Sequence, residues 1–120
     1  MPGLAFVDNI EELTVENTYY RNVLFTTKDK QMQLVLMSIK PGEEIGMEIH
    51  EEINQFFRIE KGVGKVIYND NKERELKDND AIIIPAGMRH NIINTGNDDL
   101  KLYTIYTPAN HPENLRQKNK

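Results

Sequence analysis

The chain contains no cysteine, and that absence removes two chemistries at once. There can be no disulfide framework and no thiolate metal ligand, so any metal must be held by imidazole, carboxylate, amide oxygen or water. A thiol-free composition also suits a reducing compartment, and the expected location is cytoplasmic. Positive charge is not in excess: 15 Lys and Arg stand against 19 Asp and Glu, for a net charge of -4 at pH 7 and a pI near 5.4. Such a surface has no general attraction for phosphate backbones or anionic lipids, so neither nucleic acid nor a membrane is expected as a partner. No apolar run approaches the ~18 residues of a membrane-spanning helix. The opening MPGLAFVDNIEEL has no basic stretch followed by a long apolar one. Internal repeats, low-complexity tracts and heptads are also missing.

With 120 residues, 38% hydrophobic and 28% charged, the chain suits one folded domain with one core. Its apolar residues are gathered into short runs: NVLFTT, QLVLMSI, IGMEIH, QFFRIEKG, GKVIYN, AIIIP, HNIIN and LKLYTIYT. Between them lie KDKQ, KPGEE, EEIN, NDNKE, KDND, PAGMR and TGNDD, each supplying the Gly, Pro, Asn or Asp that tight turns favour. This spacing predicts an antiparallel all-β domain. Ahead of it, DNIEEL carries one helical signal, with Asp8 or Asn9 as a cap and Glu12 three residues after Asn9, enough for a single turn. The expected divisions are an N-terminal segment at 1–20, a barrel at 21–107, and a polar tail at 108–120 that leaves the core and carries His111. An immunoglobulin-like sandwich lacks its cysteine pair and core tryptophan, which favours a jelly-roll barrel.

Several inward positions of this barrel are polar. Residues two apart in a strand share a face, so Glu48 and His50 project together while Met47 and Ile49 face away. In QFFRIEK the positions Gln55, Phe57 and Ile59 turn inward, and Phe56, Arg58 and Glu60 turn outward. Pro85 and Gly87 turn the chain so that His90, Ile92 and Asn94 line one face of the next run. Glu48, His50 and His90 can therefore converge, and two imidazoles with one carboxylate suit a first-row divalent ion with open coordination positions.

These residues resemble the cupin superfamily, whose first motif reads G-x5-H-x-H-x3-4-E-x6-G and whose second reads G-x5-P-x-G-x2-H-x3-N. Gly42, His50 and Gly62 match the first, with Glu48 at its first histidine and Gln55 at its glutamate. Pro85, Gly87, His90 and Asn94 match the second, with Asn79 at its leading glycine. The resemblance covers roughly residues 30 to 107. It implies a double-stranded β-helix holding a divalent transition metal (Fe, Mn, Zn or Ni) at Glu48, His50, Gln55 and His90. The carboxylate has moved from one motif position to another, so the ligand set still brings one negative charge.

Phe57, Ile59, Ile82, Ile84 and Ile92 are expected in the core. Phe56 is expected under the N-terminal segment or against a second subunit, and small cupins of this kind are often homodimers. Arg58 and Arg89 are expected to be solvated, and His111 to be without catalytic function. The chain looks like the small cupins labelled mannose-6-phosphate isomerase-like. The expected function is therefore a metal-dependent, isomerase-like enzyme acting on a small organic or sugar-like molecule. The alternatives are a non-haem dioxygenase and a small-ligand binding module.

Overall fold

The computed structural model describes residues 5–120. A helix α1 (Ile10–Glu16) leads into strands β1 (Arg21–Thr26), β2 (Gln33–Ile39), β3 (Asn54–Lys61), β4 (Gly64–Tyr68), β5 (Lys72–Leu76), β6 (Ala81–Ile84), β7 (His90–Asn94), β8 (Leu100–Thr107) and β9 (Arg116–Gln117). They form a six-stranded sheet in the order β6-β3-β8-β2-β1-β9 and a three-stranded sheet in the order β5-β4-β7. All pairings are antiparallel. This is the all-β jelly-roll architecture that the spacing of the runs predicts.

Alternation along the strands builds the core. In β8, Leu100, Leu102, Thr104 and Tyr106 are buried in turn, while the intervening side chains are half exposed. Gln55, Phe57 and Ile59 of β3 are buried. Because antiparallel partners point to the same side, register carries this face across the sheet: Phe57 pairs with Thr104 and Ile82, and Gln55 with Tyr106 and Ile84. Val66, Leu76 and Ile92 complete the core from the smaller sheet. On the outer face, Phe56 packs against Tyr103 with ring centroids 6.1 Å apart. Glu60, expected to be exposed, is buried there, with Arg58 Nη2 3.7 Å from its carboxylate.

α1 is longer than the single turn expected. Asn9 caps it, its side-chain oxygen accepting from Glu12 N at 2.9 Å, and Glu11 and Glu12 complement the positive end of the helix. Two segments depart from the sequence pattern. KEREL, whose Lys72 and Glu73 fall in the expected turn NDNKE and whose other residues carry no strand signal, forms β5; four of its five residues are exposed, so solvent hides the period that would have revealed it. IGMEIH, expected as a strand, makes only one isolated bridge, Glu48 with His90, and a second, Glu44 with Ile93, lies just before it. Between them Gly46 takes φ +104, a conformation a regular ladder does not accept, and its N–H donates instead to Asn91 Oδ1 at 2.8 Å.

The C-terminal residues also differ from expectation. Instead of leaving the core, they fold back along β1: Val23 N donates to Leu115 O at 2.8 Å, and β9 pairs with the start of β1. One buried side chain, Gln33, anchors the start of this segment. Its Oε1 accepts from the backbone N–H groups of Asn110 and His111, both at 3.0 Å, and its Nε2 donates to His111 O at 2.8 Å.

Candidate metal centre

Backbone pairing brings the first two ligand positions together. Glu48 N donates to His90 O at 2.8 Å, and His90 N donates to Glu48 O at 2.9 Å. Residues that exchange both bonds sit directly opposite one another. His50 lies two residues beyond Glu48, and Met47 and Ile49 face out as expected, exposed on the other side. Glu48, His50 and His90 each present one ligand atom, and the three atoms lie within 4.8 Å of one another. His50 Nε2 stands 3.3 Å from Glu48 Oε1, and His90 Nε2 stands 3.8 Å from the same oxygen.

The protonation pattern at His90 suits a ligand. Its Nδ1 lies 3.1 Å from Met88 O; a carbonyl can only accept, so Nδ1 carries the proton and Nε2 presents its lone pair to the cluster. Burial lowers the His90 pKa, which keeps the ring neutral. Nε2 is buried with no hydrogen-bond partner, and so is Gln55 Oε1, whose amide Nε2 donates to Thr104 Oγ1 at 2.9 Å. Buried polar atoms without partners are uncommon because they cost free energy. Both stand at positions expected to hold an ion, so the residues present fit a bound metal.

Two further side chains stand beside the cluster. Tyr106, the cross-strand neighbour of Gln55, meets the His50 ring edge-on with centroids 6.0 Å apart. His111 Nε2 lies 3.2 Å from the Tyr106 hydroxyl. Burial holds the Tyr106 hydroxyl well above its ordinary pKa, and burial with nearby positive charge lowers His111 to about 4. At neutral pH the pair is therefore a protonated phenol beside a neutral imidazole. Arg21, at the start of β1, places its charge near both. Alternation within β8 could have indicated Tyr106. Nothing local to the tail marks His111, because its position depends on Gln33 in a distant strand.

A profile described as Cupin domain matches residues 35–106, a span that takes in Glu48, His50, Gln55 and His90. The chain belongs to the cupin family. This cupin is 48% identical over 112 residues to the uncharacterized protein YrkC of Bacillus subtilis (strain 168), covering 89% of this chain and 59% of YrkC. It is 49% identical over 111 residues to the uncharacterized protein L612 of Acanthamoeba polyphaga mimivirus, covering 90% of this chain and 68% of L612. The chain thus spans about three-fifths to two-thirds of the length of these curated relatives. Among solved structures it is similar to BH2720 of Bacillus halodurans, at 44% identity and a TM-score of 0.91, over 95% of this chain and 89% of that one.

The cupin motifs also account for the substitution at Asn79. That residue has φ +74, in the left-handed region where the motif carries glycine, and asparagine is the side chain that best tolerates it. Gly42 and Gly62 likewise have φ of +81 and +118.

Proposed function

We propose that this cupin holds one divalent transition ion through Glu48, His50 and His90, with Gln55 Oε1 at a fourth position, and acts on a small organic molecule by moving a proton within it. The observation that carries the metal reading is the convergence of three ligand atoms within 4.8 Å, of which His90 Nε2 is buried without a partner, as is the adjacent candidate Gln55 Oε1. When bound, the ion would supply Lewis-acid polarisation of a carbonyl or hydroxyl oxygen. Beside it, the Tyr106 hydroxyl and the neutral His111 ring, 3.2 Å apart, offer a hydrogen-bond donor and an acceptor that can orient a polar substrate.

A second reading draws on the ligand set: two imidazoles and one carboxylate are also the donors of non-haem iron oxygenases. Metal analysis of protein purified without added ions, followed by assays of oxygen uptake and of aldose-ketose exchange, separates the readings. A stoichiometric ion lost in His90→Ala, with proton exchange and no oxygen consumption, is the expected result. Substrate-dependent oxygen uptake would favour the oxygenase, and an ion-free protein would remove both.

A further inference from the structure

Thr104 is the one polar residue in its row of the core. Across the large sheet it pairs with Phe57 on β3 and Val35 on β2, and the row runs on to Ile82 and Val23. Along β8 it follows Leu100 and Leu102 on the inward face. Thr104 is fully buried, and a valine of the same shape would fill its place without burying a hydroxyl. What the hydroxyl does is accept a hydrogen bond from Gln55 Nε2 at 2.9 Å. Gln55 stands directly opposite Tyr106, two residues further along β8, so Thr104 is its diagonal neighbour on the same face.

That contact leaves one end of the amide free. Gln55 is itself buried, and its Oε1 has no hydrogen-bond partner. The residue is bracketed by side chains that touch the centre. Across the strands it faces Tyr106, whose ring meets that of His50 at 6.0 Å, and two positions along β3 stands Phe57, whose ring meets that of His90 at 5.9 Å. Holding a long, flexible glutamine in one geometry costs side-chain entropy. A hydrogen bond to a stiff β-branched residue offsets that cost and selects one placement. With Nε2 committed to Thr104, the end that remains is the acceptor, which is the end a cation uses. The reverse flip would turn the amide hydrogens toward the ion.

We propose that Thr104 is a positioning residue of the centre: its hydroxyl holds the Gln55 amide so that Oε1 is presented to the ion bound by Glu48, His50 and His90. The inference rests on the metal-centre reading above and adds a residue outside its ligand set. A carboxylate at position 55 would be drawn to the ion by its own charge. A neutral amide has only its dipole, so its contribution depends on being held in place before the ion arrives. Thr104 acts through Gln55 alone.

The test titrates the full chain with Co(II), whose visible absorption reports both occupancy and ligand set. Thr104→Val removes the hydroxyl and keeps the shape; it should weaken Co(II) binding about 10- to 100-fold and give the absorption spectrum of Gln55→Ala. In a Gln55→Ala background the same substitution should change affinity by less than about twofold. Thr104→Ser, which keeps the hydroxyl, should bind Co(II) more tightly than Thr104→Val and show the parent spectrum. Parent-like binding by Thr104→Val, equal weakening with and without Gln55, or a Thr104→Ser spectrum that matches Gln55→Ala would each overturn the proposal. So would a Gln55→Ala variant that binds Co(II) as the parent does, a result that leaves the three-residue centre standing. Failure of the parent to take up Co(II) would remove the metal reading, and this inference with it.

Discussion

At the scale of single residues, the site is defined by atoms that lack partners. Gln55 is the clearest case, since its amide is tied to Thr104 while its carbonyl oxygen is buried and unbonded. Replacing it by glutamate puts a carboxylate into the same enclosed position. Gln55→Glu should therefore lower the stability of the metal-free protein by about 1–3 kcal/mol and tighten divalent-ion binding by at least roughly tenfold through the added charge. Thermal melts with and without added Mn(II) or Zn(II) check both effects, and an equal melting shift for parent and variant would count against the assignment. A second residue-scale consequence concerns acid. His111 titrates near 4 in the folded chain, against about 6.5 when unfolded, and burial shifts His90 in the same direction. The unfolded chain then takes up protons first, so this stabilisation is complete above about pH 6.5 and is lost as pH falls toward about 4. Urea unfolding of the metal-free protein at about pH 7 and about pH 5 should show the decline. His111→Gln should show a shallower one.

At the scale of elements, the C-terminal segment depends on Gln33. Its side chain replaces the ladder that residues 110–111 do not make, with three hydrogen bonds to their backbone and a fourth from its Nε2 to Thr26 Oγ1 at 2.9 Å. Gln33→Ala should cost about 2–4 kcal/mol by leaving buried groups unpaired. Amide hydrogen exchange should accelerate in residues 109–117 well before β2, β3 and β8; uniform acceleration would refute the clasp. The strands that carry apolar alternation were legible: QFFRIEK and LKLYTIYT show period two because one face meets the core. KEREL was not legible, because its edge position leaves little to bury. The tail was not legible either, because a polar, proline-bearing stretch reads as detached until a distant glutamine is seen to hold it.

At the scale of the whole molecule, two sheets and a glycine-interrupted segment place Glu48 and His50 opposite His90. The motif spacing made those three positions legible, together with the inward face of Gln55, because they follow from strand parity and one turn. Tyr106 and His111 escaped that reading because they lie far from the motif residues in the chain, and only the closed barrel brings them beside His50. The central claim is that the three ligand atoms form one ion site. Anomalous diffraction from a crystal soaked in a transition-metal salt tests it most directly. The account predicts a single strong peak bonded to Glu48, His50 and His90 that is missing in His90→Ala; an empty centre with peaks only at surface carboxylates would contradict it.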